Sequence, residues 1–211
     1  MRFRSLTLAA CLVLVTTAGT AAAQNRTGTF EISPFAGGYF GGTLLDSGHD
    51  HLEVGTDWAY GGRLAYNVNR FFAVEFDWTH ARADLESNRF SGSGNVGTFT
   101  QDVYEANAIF NFGKRRAVGY FGIGAGAAVM KTAFNGGTST SETRFTGNMS
   151  LGFKGYVTPR FGFRIDGRFR YTDTDHTTNR DSHCDYYGYC YSYDTTWYYS
   201  GELTGGLIFA F

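Results

Sequence analysis

After its first 23 residues the sequence holds no apolar run approaching the ~20 residues that a membrane-crossing helix needs, so the mature chain has no helical anchor. Proline is scarce, 2 residues in 211, and no linker or domain boundary interrupts the chain. A net charge of −1 and a pI of about 6.5 leave no basic surplus for nucleic acid. Only 3 cysteines are present, and Cys11 would depart with the leader described below. The mean hydropathy of −0.24 is too polar for a helical membrane protein. Alternating strands average to such a value, so the index does not exclude a transmembrane barrel.

What the chain does have is 29 Gly, 20 Phe and 14 Tyr, as expected of strands that show aromatics to an interface. Residues 1–23 read as a secretory signal. Arg2 and Arg4 form its charged start, Leu6 to Val15 its apolar core, and Ala21-Ala22-Ala23 its small-residue cleavage site. Leu8-Ala9-Ala10-Cys11 has the look of a lipidation box, but apolar sequence continues past it to Val15.

The mature part, 24–211, repeats one pattern. Phe161, Phe163, Ile165, Phe169 and Tyr171 alternate with Arg164, Asp166, Arg168 and Arg170. A strand sends successive side chains to opposite faces, so this segment has an aromatic face and a charged face. A helix would spread the charge all round. The same alternation marks residues 30–40, 58–68, 72–80, 104–112, 118–130, 145–157 and the final stretch from Trp197. Eight strands result, each near the ~9–11 residues of a tilted transmembrane strand. Short connections at Val68–Arg70, Gly113–Arg116 and Thr158–Arg160 alternate with long ones at 41–57, 82–98, 132–142 and 173–195. Short turns at one end and long loops at the other are the layout of an outer-membrane barrel.

Charge separates onto one phase. Glu31, Arg63, Glu75, Asp77, Glu105, Lys154, Arg164, Asp166, Arg168, Arg170 and Glu202 share it, while the other phase is apolar. Soluble eight-stranded barrels do the reverse, with apolar residues inside, and aromatics facing water on every strand would aggregate. The apolar face therefore meets lipid and the charges line the lumen. Trp58, Trp78 and Trp197 fall at loop-side strand ends as one aromatic girdle; Tyr66, Phe72, Phe112, Phe161 and Phe211 form the other. The expected fold is an all-β, eight-stranded antiparallel up-and-down transmembrane β-barrel, monomeric and set in outer-membrane lipid.

The signal, the eight strands, the short inner turns and the closing Leu207-Ile208-Phe209-Ala210-Phe211 resemble the transmembrane domain of outer-membrane protein A and the small barrels related to it. The resemblance covers residues 29–211. It implies that the barrel-assembly machinery reads the last strand. Peptidoglycan anchoring is not implied, because the family's peptidoglycan-binding domain would follow the barrel and this sequence shows none.

Several chemistries compete with plain structural readings. Opposite charges in a narrow lumen should pair, since an unpaired buried charge costs several kcal/mol; a salt-bridged plug is expected, with a small gated pore as the alternative. Gly122-Ile123-Gly124-Ala125-Gly126 has a spacing of two, which makes a slim strand face and not a dinucleotide loop, and no cofactor is expected. Cys184 and Cys190, in an exported loop, favour a disulfide. A metal site with His176, His183 or Asp185 is the other reading. His49, His51, Asp46, Asp50, Glu53 and Asp181 form a polar loop surface, which binds a cation only if its ligands converge. The tyrosines Tyr186, Tyr187, Tyr189, Tyr191 and Tyr193 suit an exposed contact with an extracellular ligand. An acyl-transfer enzyme would need a serine beside His80 at the rim, and no serine is implied there, so no activity is expected. Finally, a three-residue loop at Val68–Arg70 would set Tyr66 opposite Phe72, Leu64 opposite Val74, Tyr60 opposite Trp78 and Arg63 opposite Glu75.

Overall fold

The computed structural model describes residues 27–46, 51–89, 92–114, 116–173, 183–184, 190–191 and 197–211. The expected leader, 1–23, lies outside them. The strands in chain order are β1 (Thr29–Phe40), β2 (Thr43–Asp46), β3 (His51–Val54), β4 (Thr56–Asn67), β5 (Phe72–Arg89) and β6 (Gly92–Lys114). They are followed by β7 (Ala117–Phe134), β8 (Ser139–Tyr156), β9 (Phe161–Asp173), β10 (His183–Cys184), β11 (Cys190–Tyr191) and β12 (Trp197–Ala210). Eight of them, β1, β4 to β9 and β12, pair antiparallel with their neighbours, and β1 closes on β12 and β5 on β6, so the sheet is a closed barrel. Closure leaves no wall edge with unpaired backbone groups, the condition for crossing hydrocarbon with strands.

The expected faces hold throughout the wall. Phe76, Phe110, Leu151, Ile165 and Leu207 are outward and exposed, while the alternate positions are buried in the bore. The girdle residues Trp58, Trp78, Trp197, Tyr66, Phe112, Phe161 and Phe211 lie on the outer surface. Phe72 is half-buried, its ring 5.6 Å from that of Phe110.

Two expectations are corrected. The first is strand length. β5 and β8 have 18 residues each and β6 has 23, so the loops expected at 82–98 and 132–142 are largely strand. Pairing of β5 with β6 runs out to Arg89↔Gly92. The β7–β8 connection shrinks to residues 135–138, where Gly137 takes φ 86 and its N–H donates to the Phe134 carbonyl at 3.0 Å. The 41–57 connection likewise contains β2 and β3, with β3 paired to the outer end of β5. The cause is an inversion of polarity along the same strands. Beyond Trp78 the outward positions of β5 turn polar (His80, Arg82, Asp84), while the inward ones, Ala81, Ala83 and Leu85, turn apolar and are buried. A strand leaving lipid for water needs that inversion, and read from the outward phase alone it looks like a strand end.

The second correction is the β4–β5 register. Arg63 faces Asp77, Tyr66 faces Val74, Leu64 faces Phe76 and Tyr60 faces His80; Glu75 faces Ala65. This is two residues from the expected pairing, which preserves every face. The turn explains it. Asn69 Oδ1 accepts from the N–H groups of Phe71 and Phe72 at 2.8 and 2.9 Å, and the Asn69 N–H donates to the Phe72 carbonyl. An Asn folding its side chain onto the following backbone forms a turn of its own, so the loop takes in Phe71 and Phe72, and Ala73 becomes the first paired residue.

Candidate functional site

The bore is filled in layers. At the periplasmic end the Glu31 carboxylate accepts from Lys154 Nζ at 2.8 Å, from the Tyr156 hydroxyl at 2.5 Å and from Asn67 Nδ2 at 2.8 Å. Above it Arg164 forks onto Glu75, donates through Nε to the Tyr120 hydroxyl at 2.6 Å, and lies 4.4 Å from that ring's centre. The Tyr120 hydroxyl donates in turn to Asp166. Arg63 bonds Asp77 at 2.7 Å, Asp166 at 3.0 Å and the Thr204 hydroxyl at 3.2 Å, with the Phe35 ring 3.9 Å beneath its guanidinium. Arg168 lies 3.2 Å from Asp77 and 3.1 Å from Glu105. Arg170 donates twice to Glu105, at 3.0 Å each, and pairs with Glu202.

All eleven charged residues expected in the lumen are therefore in it, each 5% exposed or less. Glu75 reaches across the bore to β9 instead of along the hairpin to Arg63. Charges this deep are stable only when each is paired and hydrogen-bonded, and forked Arg–carboxylate contacts supply both terms at once.

Beyond the charged layers the bore turns apolar. The Tyr39 hydroxyl bonds Gln101 Oε1 at 3.0 Å and the Tyr198 hydroxyl at 2.6 Å. Over this pair pack Val54, Ala83, Leu85, Phe99 and Met130, all buried. Tyr39, Tyr120, Tyr156 and Tyr198 lie outside the set of lumen residues expected from sequence, although each occupies the inward parity of its strand. That parity was the available signal.

Outside, at the extracellular rim, His80 and Asp102 are cross-strand partners, Nδ1 to Oδ1 2.7 Å. The Tyr60 ring lies 5.1 Å from the imidazole. A carboxylate, not a serine, is thus the partner of this histidine. Cys184 and Cys190 are directly paired positions of the β10–β11 backbone; their side chains, and those of His51, Asp46, Glu53, His183 and Tyr191, are outside what the structure describes. His49, Asp50, His176, Asp181, Asp185 and the tyrosines Tyr186, Tyr187, Tyr189 and Tyr193 fall outside the described residues altogether.

Comparison with known proteins agrees with this architecture. Neisserial surface protein A is 16% identical, with 86% of this chain and 98% of that one aligned and a TM-score of 0.53. OprG from Pseudomonas aeruginosa is 12% identical, with 90% and 99% aligned and a TM-score of 0.59. The outer membrane protein AlkL, solved in DMPC lipid bilayers, is 16% identical, with 92% and 94% aligned and a TM-score of 0.58. At these identities the likeness is one of fold. No curated protein matches the sequence. The model of the outer membrane protein beta-barrel domain matches residues 7–196, and the chain belongs to that family, an eight-stranded barrel of the outer membrane.

Proposed function

We propose that this protein is a closed, non-conducting barrel that serves as a structural element and as a rigid stalk for surface interaction. The single observation that carries the reading is the filled bore: the buried Glu31–Lys154 pair at one end, a continuous lattice of buried ion pairs from Arg164 to Arg170 above it, and the apolar cluster around Phe99 and Leu85 as an outward stopper. An eight-stranded wall encloses just enough space for such side chains. The bore then has no catalytic task, and the contacts fall to the outer loops, which would meet an extracellular ligand, and to the last strand, Leu207–Phe211, which would engage the barrel-assembly machinery. Strands β5 to β8 exceed the ~10 residues a membrane needs by enough to project on the order of 20 Å beyond it, which suits a stalk. The test is single-channel recording of the purified barrel in planar bilayers. No steady conductance steps are expected, and large stable steps would overturn the reading.

A low-conductance pore for ions or small solutes is the second reading, and one observation favours it. Along the β6–β9 wall, Asn107 Nδ2, Asn148 Oδ1, Ser150 Oγ and Arg168 Nε are buried without a protein hydrogen-bond partner, beside Gly122 and Gly124. Such atoms call for water. Farther out on the same phase of β6, however, come Val103 and Phe99, at 1% exposure each, and the wet seam ends there.

A further inference from the structure

The outer face of β5, β6 and β7 changes character in three consecutive cross-strand rows. Trp78, Tyr104 and Ala127 face one another in the first, His80, Asp102 and Val129 in the second, and Arg82, Thr100 and Lys131 in the third. Each row is roughly 7 Å farther out than the last. The first row belongs to the aromatic girdle, the level at which acyl chains give way to headgroups. The third therefore stands at headgroup height, and it presents two cations.

Arg82 and Lys131 are exposed and make no hydrogen bond or ion pair with any described residue. With one strand between them their Cα atoms are about 10 Å apart, so both side chains can converge on a single group above Thr100. Two acids are near. Asp102, in the row beneath, is engaged by His80; Asp84 stands one row farther out, so the cations are the first free charges met on leaving the apolar belt. Below the girdle the same face is a shallow trough. Ala106 and Ala125 are cross-strand partners, both exposed, with Phe76 and Gly147 at the two ends of their row, and Ala127 stands one row farther out between Tyr104 and Phe145.

We propose that this face docks a phosphorylated glycolipid of the outer leaflet, with an acyl chain in the alanine trough and a phosphate held over Thr100 by Arg82 and Lys131. The apolar trough, the aromatic ring of Tyr104, the polar His80–Asp102 pair and the cation row follow in the order of acyl chain, sugar and phosphate. A cation near a lipid phosphate attracts it with about the strength of a five-fold change in affinity.

The test is titration of the full-length barrel, in zwitterionic detergent micelles, with bisphosphorylated lipid A. Arg82→Gln and Lys131→Gln should each weaken binding about five-fold, and the double variant about 25-fold. Lipid A stripped of its phosphates should bind wild-type protein as weakly as intact lipid A binds the double variant. Arg116→Gln, which removes one charge at the opposite rim, should change nothing, and the fold is checked by the migration of unheated protein on gels. Undiminished binding by the double variant, or an equal loss in Arg116→Gln, would overturn the proposal. So would displacement by inorganic phosphate at matching concentration, which would make the site one for free phosphate.

Discussion

Removing Glu75 tests whether the bore is held together across its width or along its hairpins. Glu75 is fully buried and accepts two bonds from Arg164; its next cation, Arg168, is 3.7 Å away. Charge-assisted bonds contribute roughly 1.5–3 kcal/mol each, and a buried ion left without its partner costs about 3–5 kcal/mol. Glu75→Ala leaves Arg164 with only Asp166, at 3.4 Å, and with the Tyr120 hydroxyl. A loss of about 3–5 kcal/mol is therefore expected. Arg164→Ala should lose a similar amount, and the double variant should recover about 2–3 kcal/mol of the summed loss, as residues in direct contact do. Arg63 has no contact with Glu75 and reaches it only through two intermediaries, Asp166 and Arg164 or Asp77 and Arg168, so a Glu75/Arg63 cycle should give a clearly smaller coupling. The assay is equilibrium urea unfolding in lipid vesicles, followed by the fluorescence of Trp58, Trp78 and Trp197, which leave the membrane rim when the wall opens. A coupling of Glu75 to Arg63 as large as that to Arg164 would refute the register and the cross-bore pairing together.

Three further outcomes follow from local geometry. Gly152→Ala would drive its methyl into the Tyr120 ring, which is bonded to Asp166 and Arg164, so unfolding in urea should show a loss of about 1–3 kcal/mol; unchanged stability would mean that Tyr120 is not locked there. Asn69→Ala removes two bonds from the β4–β5 turn and should cost about 1–2 kcal/mol without altering heat-dependent gel migration; an unchanged midpoint would sink the account of the register. Thiol titration of the native exported protein should find Cys184 and Cys190 oxidised to each other, a short-loop bridge contributing about 3 kcal/mol or less, and their replacement by Ser should leave the barrel's gel migration intact. Free thiols in the native protein would refute the bridge.

The interior charges and the exterior aromatics are one solution to one problem. Lipid outside requires an apolar wall, and a wall of eight strands encloses a bore just wide enough for side chains to fill. Side chains fill it, and the long ones that meet across it include Arg164 with Glu75, Arg170 with Glu105 and Lys154 with Glu31. Where β5 to β8 rise above the lipid, the requirement reverses: the outer surface turns to Arg82, Thr100 and Lys131, and the inside becomes an apolar core around Phe99 and Leu85.

Which face each residue takes is written in the sequence, because strand parity is a local, period-two property that needs no partner to be read. Glu31, Lys154 and Arg164 could be assigned to the lumen from their own strands, and Trp58 and Trp197 to the outer rim. The end of a lipid-facing run was likewise readable at His80, although it marks the membrane edge and not the end of the strand. The partner of a lumen charge is a different kind of fact. Arg164 meets Glu75 from β9 to β5, strands with three others between them along one side of the ring. That encounter depends on closure and on the stagger of every intervening pair. A two-residue change in one turn, set by the Asn69 side chain, is enough to exchange Glu75 for Asp77 opposite Arg63. Parity survives such a slip and pairing does not, so the sequence determined the contents of the bore and only the closed tertiary structure decided who binds whom within it.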